Sequence, residues 1–484
     1  MHLLGESKVI NHALSPYLRV WFIQMRGGHE MGISIQWDIT NRCNLACAHC
    51  VKGDELNSTA IEPSLEEVKQ IIDHLSEKQI DHIQLLGGEP TTRKDFIEIT
   101  SYIDQKGIRF GFNTNGLLMG EDKTLNAVTS LKSLKGIVFS IEAPIAEIND
   151  QIRGKAVFDK TIANLKKLIA HKKENNYNHF HVVVNTVVSK VNKDYILPMI
   201  HYCAEIGVNE LCLLQLVPQG NAEDKNFSLS FDEELQIVTE IANIYPSIKD
   251  KLRIIPSFVR AMAVDYVNEV LEKDFPPVEH GCTAGTESAC ISHLGELYSC
   301  YRYIKPIVKQ HTPKELSLIH NPFDKIWAKN EFSDIFSAIN QESFYQHTEP
   351  CNTCYHLKES CWPCPAPFIG QDGSNRIMDF CIQYDNLIQE HHLKDNCEIV
   401  ATKQLIREVA ANDEDYVLFN TETFETLTIS REGYLIWKEL RAMDKIQYHA
   451  AISVIRDKYA FTVSDIKEVI DSLVELDYLE KQAS

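Results

Sequence analysis

A chain of 484 residues is too long for one ordinary core and implies several domains. Its 44% hydrophobic and 24% charged residues exclude wholesale disorder and fibrous architecture. A formal net charge of −20 is the wrong sign for a general binder of nucleic acid or anionic membrane. No apolar run approaches a bilayer span and the N-terminus lacks a secretory layout, so a cytoplasmic protein with no nucleic-acid and no membrane partner is expected. In that reducing compartment the fourteen cysteines point to metal sites or redox chemistry rather than to disulfides.

Residues 1–30 read as an N-terminal extension. From about 31 to 275 short apolar runs alternate with helical patterns. The runs are Ile33–Ile39, Ile83–Leu86, Ile108–Asn113, Ile137–Glu142, His181–Val188 and Leu211–Val217. Between the first two, Ser64 and Glu67 have capping-box spacing, and Leu65, Val68, Ile71, Ile72 and Leu75 follow a helical period. Further helices are expected over Lys94–Gln105, Asp159–His171 and Asp194–Glu205. Six strand–helix repeats predict an α/β fold of parallel strands with right-handed crossovers, a partial (β/α)6 TIM-like barrel. Such folds place their chemistry at the C-terminal ends of the strands.

Residues 276–398 lose this rhythm and gain cysteine, proline and glycine, as expected of a segment held by metal rather than by a core. Residues 405–484 regain it. Tyr416–Asn420 and Phe424–Ile429 predict a hairpin and three helical patterns follow, the makings of a small winged-helix-like α+β domain.

The first strand runs into TNRCNLACAHC, where Cys43, Cys47 and Cys50 form C-x3-C-x2-C. Three thiolates can hold three irons of a [4Fe–4S] cluster and leave the fourth open, whereas a structural zinc site would want a fourth protein ligand. After the second strand stands Gly87-Gly88-Glu89-Pro90, after the third Asn113-Thr114-Asn115-Gly116, and after the fourth Ser140-Ile141-Glu142. In these motifs, in this order, residues 33–217 resemble the radical S-adenosylmethionine enzymes. The resemblance implies a [4Fe–4S] cluster on Cys43, Cys47 and Cys50. Contacts to S-adenosyl-L-methionine would come from Gly87, Gly88, Glu89, Asn113, Asn115, Ser140 and Glu142, joined by Arg153, in the family arginine position for the carboxylate, and Asn185 on the fifth strand. The glycines are expected to let backbone approach the ligand, and Glu89 to take its amino group. The implied chemistry is reductive cleavage of the sulfonium and hydrogen abstraction from an unactivated carbon, the hard step belonging to the cofactor.

The later cysteines run Cys282-x12-Gly295-x4-Cys300, then Cys351-x2-Cys354-x6-Cys361-x2-Cys364, then Cys381. This resembles a SPASM domain, although the central block departs by one residue in each half from the usual C-x2-C-x5-C-x3-C. With Cys290 there are eight thiols, enough for two auxiliary [4Fe–4S] clusters. By resemblance one takes Cys282, Cys290, Cys300 and Cys364, the other Cys351, Cys354, Cys361 and Cys381, making three clusters in all. A zinc ribbon is the alternative, since C-x2-C pairs also suit zinc. Cys203, Cys212 and Cys397 fit no ligand set, and the first two read as buried apolar residues. Sulfatase maturases carry an acidic catalytic residue where this chain has Tyr301. Tyr298, Tyr301 and Tyr303 read as hairpin residues. No catalytic acid or base is assigned.

From 401 to 484 there are 10 basic and 16 acidic residues, which disfavours a DNA reader. The pattern instead resembles the recognition element of ribosomal peptide modification systems, in which a leader peptide adds a strand to the hairpin edge. The expected function is therefore that of an oxidoreductase modifying a ribosomally made precursor peptide, reduced by flavodoxin or ferredoxin. The expected outcome is a cross-link or another carbon-centred change. Sulfatase-maturase-like oxidation, peptide epimerisation and a non-catalytic metal-stabilised binding scaffold are the alternatives.

Overall fold

The computed structural model describes residues 32–273 except 79 and 224, then 275, 284–285, 287–300, 313–327, 380–384, 386–388, 397–401, 406–410, 415–420, 426–443, 445–459, 463–475 and 478–483. The extension 1–30, Tyr301, Tyr303 and the cysteines Cys282, Cys351, Cys354, Cys361 and Cys364 lie outside them. Described residues up to 327 belong to one unit and those from 380 onward to a second.

The first unit is built on a nine-stranded sheet in the order β7-β6-β5-β4-β3-β2-β1-β8-β9. Its strands are β1 (Ile33–Asp38), β2 (Ile80–Leu86), β3 (Phe110–Thr114), β4 (Leu134–Ser140), β5 (His181–Val188), β6 (Glu210–Gln215), β7 (Arg253–Ile255), β8 (Ser288–Ile291) and β9 (Leu297–Tyr298). β1 to β7 pair in parallel in sequence order, as six strand–helix repeats predict, with one short strand more. The connecting helices are α1 (Leu65–Ser76), α2 (Phe96–Gln105), α3 (Asp122–Thr129), α4 (Ala146–Arg153), α5 (Phe158–Glu174), α6 (Ile196–Ile206) and α7 (Phe231–Ile248). Ser64 and Glu67 close the expected capping box on α1.

Right-handed crossovers taken always in one direction put all these helices on one face of the sheet. That face carries Ile35 and Trp37, Ile83 and Leu85, Phe110 and Phe112, Ile137 and Phe139, Val182 and Val184, Leu211 and Leu213, all buried. The alternate residues make the other face, and there polar side chains line up. Gln36 stands in register with Gln84, Ser140 with Asn185, and Asn185 with Cys212. Gln84, Asn113, Ser140, Asn185 and Cys212 are half-buried and Gln36 is exposed. Residues 288–291, expected in the cysteine-rich segment, join this sheet as β8, parallel to β1 with Cys290 opposite Gln36.

In the second unit β11 (Ile406–Ala410), β12 (Asp415–Asn420) and β13 (Thr426–Ser430) form an antiparallel sheet in that order. The hairpin thus forms where the alternation predicts it, with one strand more. Three helices follow, α8 (Arg431–Met443), α9 (Tyr448–Tyr459) and α10 (Val463–Glu475). A second three-stranded sheet pairs β10 (Cys397–Ala401) with β14 (Lys445–Gln447) and β15 (Leu479–Ala483). Leu418, Ile436, Trp437, Ile455, Ile466 and Ile470 are among its buried core. Tyr416 and Tyr434 stack with centroids 3.9 Å apart. No helix among the described residues is long and apolar enough to cross a membrane.

Candidate active site

Residues 39–52 leave the C-terminal end of β1 as a loop bearing the three cysteines. Its entry is fixed by polar groups from far along the chain. Glu62 Oε1 accepts from Thr40 Oγ1 at 2.8 Å and from the Asn41 amide at 2.6 Å. Arg93 Nη1 donates to the Ile39 carbonyl at 2.6 Å. Cys43 N–H donates to Asn57 Oδ1 at 3.0 Å, and Leu45 N–H donates to Cys43 Sγ at 3.4 Å.

The GGEP segment closes against this loop. Gly88 N–H donates to the Thr40 carbonyl at 2.9 Å and Glu89 N–H to that of Arg42 at 2.7 Å. A Cβ on Gly87 would stand 2.2 Å from the Thr40 oxygen, and one on Gly88 2.2 Å from that of Arg42. The close approach that needs glycine here is thus to the cysteine loop itself.

Glu89 is 2% exposed. Its carboxylate accepts from Thr91 Oγ1 at 2.5 Å, Thr114 Oγ1 at 2.7 Å and the amides of Thr91 at 3.2 Å and Asn115 at 2.6 Å. Burial raises its pKa, and the donors around it offset only part of that rise. Asn115 then reaches back to the cysteine loop, donating from Nδ2 to Asn44 Oδ1 at 2.7 Å. Asn113 accepts from Gln84 Nε2 at 2.7 Å.

At the end of β4 lies a buried charge network. Glu142 is fully buried. Its Oε1 pairs with Arg153, whose Nε lies at 3.0 Å, and stands 3.4 Å from His49 Nε2; its Oε2 accepts from Val187 N–H at 2.7 Å. Burial alone would raise the Glu142 carboxyl, but the Arg153 guanidinium and the His49 ring outweigh it and hold the group at about 2. Arg153 Nη1 also lies 3.8 Å from Cys47 Sγ, and the Ala48 amide donates to the Ile152 carbonyl at 2.7 Å. Ser140 and Asn185 sit side by side on the polar face of the sheet.

A third support carries no sequence motif. In the loop after β6, Asn221 donates from its amide to the Cys50 carbonyl at 2.9 Å and from Nδ2 to that of Cys47 at 2.9 Å. Lys225 Nζ reaches the Ala48 carbonyl at 3.3 Å. A Cβ on Gly220, whose φ is +60°, would stand 2.5 Å from the Cys50 oxygen. Lys52, two residues past Cys50, pairs with Asp38 at the end of β1. Asn44, Glu62, Asn221 and Lys225 were all missed by motif reading. The one available signal was Gly220-Asn221 just beyond a predicted strand end.

Burial pushes the Cys43 thiol up to about 11 and raises that of Cys47, with Arg153 working against it at Cys47. Cys43 and Cys47 each lie close enough to the other two cysteines to feel their charge. Among the described residues no three Cys, His, Asp or Glu side chains are gathered tightly enough to hold a metal ion unaided. The loop supplies nearness, and a bound ion would supply the closure. Three thiols on one clamped loop, with the Nε2 of His49 turned to Glu142, fit an open cluster better than a closed zinc site.

Of the later cysteines, Cys290 is buried on β8 and near enough to Cys300 for their charges to interact. Cys381 lies in the first described stretch of the second unit, residues 380–384. Tyr298 is buried and donates to Glu296 Oε2 at 2.9 Å, the part of an ordinary hairpin residue. Cys203 is buried in α6 as expected. Cys212, expected to be buried, lies half-buried on the polar face, where burial still pushes its thiol up to about 12.

Residues 37–203 match the family model described as the Radical SAM superfamily. The AdoMet-dependent heme synthase of Methanosarcina barkeri is 27% identical over 349 residues, 70% of this chain and 93% of that protein. The mycofactocin maturase MftC of Mycobacterium tuberculosis is 26% identical over 342 residues, 70% of this chain and 79% of that one. Streptococcus suis SuiB, solved with its precursor peptide SuiA, shares the fold with a TM-score of 0.55 at 15% identity, over 77% of this chain and 82% of that one. The chain is an enzyme, and the stretch that matches the radical SAM model spans the end of β1 and all of β2 to β5.

Proposed function

We propose that this enzyme is a radical S-adenosylmethionine maturase of a ribosomally made precursor peptide. The observation that carries the reading is the interlock of one three-cysteine loop with GGEP and the ends of β3, β4 and β6. Cys43, Cys47 and Cys50 would hold a [4Fe–4S] cluster. The polar row on the open face, with Asn113, Ser140 and Asn185, would hold S-adenosylmethionine beside it. When bound, the pair supplies reductive cleavage and hydrogen abstraction. The chain's own part is to hold the loop rigid through Asn44, Glu62 and Asn221, to shield the site, and to present substrate along the polar face.

Cys282, Cys290, Cys300, Cys351, Cys354, Cys361, Cys364 and Cys381 would carry two auxiliary clusters in a SPASM-like segment. They would take up the electron that an oxidative cross-link releases. β13, an outer strand of its three-stranded sheet among the described residues and followed by three helices, would be the docking edge for β-augmentation by a leader peptide. Likeness to MftC and to peptide-bound SuiB supports a peptide substrate. A tetrapyrrole substrate is the second reading, favoured by the 93% coverage of the heme synthase.

The test is anaerobic incubation of the reconstituted full chain with S-adenosylmethionine, a reductant and the peptide encoded beside its gene. 5′-Deoxyadenosine together with a mass change in the peptide is expected. A chain truncated from about residue 405 should still release deoxyadenosine but process the full-length precursor poorly, because the substrate's effective concentration is lost. Turnover of an iron porphyrin or a sulfatase peptide, with the neighbouring peptide unchanged, would overturn the reading.

A further inference from the structure

The last residue of α4 does more than close a helix. Gly154, at φ +112°, turns the chain away directly after Arg153, leaving the helix end against the cysteine loop, where Ala48 N–H bonds the Ile152 carbonyl. The guanidinium is 11% exposed and the Glu142 carboxylate fully buried. Glu142 is itself fixed by the Val187 amide through Oε2, while its own amide donates to Asn149 Oδ1 at 2.9 Å. Arg153 therefore has little rotational freedom, and the Nη1 edge left over by the carboxylate is the edge that meets Cys47 Sγ at 3.8 Å. A rigid planar fork holds a carboxylate and a sulfur in one fixed geometry, whereas the rotating donors of a compact ammonium do not fix it.

We propose that Arg153, oriented by Glu142, is a positioning residue that donates to the Cys47 sulfur and makes a cluster on that loop easier to reduce. The inference rests on the reading of Cys43, Cys47 and Cys50 as cluster ligands. Reduction adds one negative charge to the cluster and its sulfurs. An N–H donor and a positive charge at a ligating sulfur stabilise the reduced state more than the oxidised one, and screening is weak at a buried site. This role is distinct from any contact between Arg153 and the carboxylate of S-adenosylmethionine, because it operates with no cofactor bound.

The experiment is a redox titration of the reconstituted full chain without S-adenosylmethionine, followed by electron paramagnetic resonance, with iron counted on the same samples. Arg153→Met should keep wild-type iron yet titrate at a more negative potential. The reduced-to-oxidised ratio at a fixed poise should fall about tenfold, a shift of about 59 mV. Arg153→Lys, which keeps the charge and loses the fork, should fall between the two. A titration of Arg153→Met that overlays the wild type at equal iron content overturns the proposal. Should Arg153→Met fail to hold iron, Arg153→Lys decides, and its overlay on the wild type overturns the proposal equally. A wild-type chain that binds no cluster would instead sink the underlying reading, an outcome visible before any variant is made.

Discussion

Gly88→Ala isolates the contact between GGEP and the cysteine loop. The new Cβ would meet three backbone atoms, at 2.2 Å from the Arg42 oxygen, 2.5 Å from its carbonyl carbon and 3.0 Å from the Cys43 nitrogen. No flexible side chain is there to swing aside, so the two loops must part by roughly an ångström to restore ordinary contact. That strains or breaks the bonds from Gly88 to Thr40 and from Glu89 to Arg42. Overpacking of this kind costs about 1–3 kcal/mol and each backbone bond a net of about 0.5–1.5 kcal/mol, so a loss of about 2–6 kcal/mol is expected. Gly107→Ala is the control, because its φ of +70° is strained for alanine but nothing lies within 4 Å. Its cost should stay near the left-handed penalty of about 1–2 kcal/mol. Urea unfolding of the metal-free chains measures both, and iron bound after anaerobic reconstitution measures the loop. Gly88→Ala should unfold at lower urea than Gly107→Ala and bind less iron. Equal midpoints with equal iron would refute the argument.

Glu89→Gln should destabilise the metal-free chain by about 1–3 kcal/mol, because all four contacts to the carboxylate are donors and the amide end must face one of them; a urea midpoint equal to wild type would contradict it. The Glu142 carboxyl lies at about 2 in the folded chain, against 4.5 ordinarily. Its depressed value adds stability that is complete above about pH 4.5 and is lost as the pH falls toward 2. Metal-free Glu142→Gln should therefore lack that part of the acid slope when midpoints at about pH 5 and pH 3 are compared. Cys43→Ala, Cys47→Ala and Cys50→Ala should each abolish cleavage of S-adenosylmethionine, read as 5′-deoxyadenosine, and retained product in all three would refute the ligand assignment. Reconstitution should give about 12 irons per chain, whereas stoichiometric zinc with about four irons would favour a zinc ribbon over Cys282–Cys381.

Periodicity carried the parallel strands of the large sheet and its longer helices because each needs only its own alternation of apolar and polar residues. It did less well where polar residues sit in strands. β2 starts at Ile80, ahead of the expected Ile83, because Asp81 pairs with Arg109 and His82 with Gln84. β7 is three residues long and β8 four, too short for any period to register. Motifs located the site, since cysteine spacing and GGEP are local facts. They did not reveal what each side chain touches. Glu142 and Arg153, expected from their motif positions to contact the cofactor, also hold each other and meet His49 and Cys47, which spacing could not show. Asn221 could not be found from spacing, because its partners lie some 170 residues away.

The pairing of β8 with β1 bears on how the chain reaches its fold. Gln36 meets Cys290 only after about 250 further residues have been made. At about 5–20 residues per second, β1 waits roughly 10–50 s on the ribosome for its second neighbour. Throughout that interval its outer edge shows unpaired amides and carbonyls, the kind of edge that recruits other chains. The loop with Cys43, Cys47 and Cys50 begins one residue past that edge, so three thiols stand at the border of an unfinished sheet. The strand that at last covers this edge, β8, itself carries a cysteine, and only the two residues of β9 join the sheet after it.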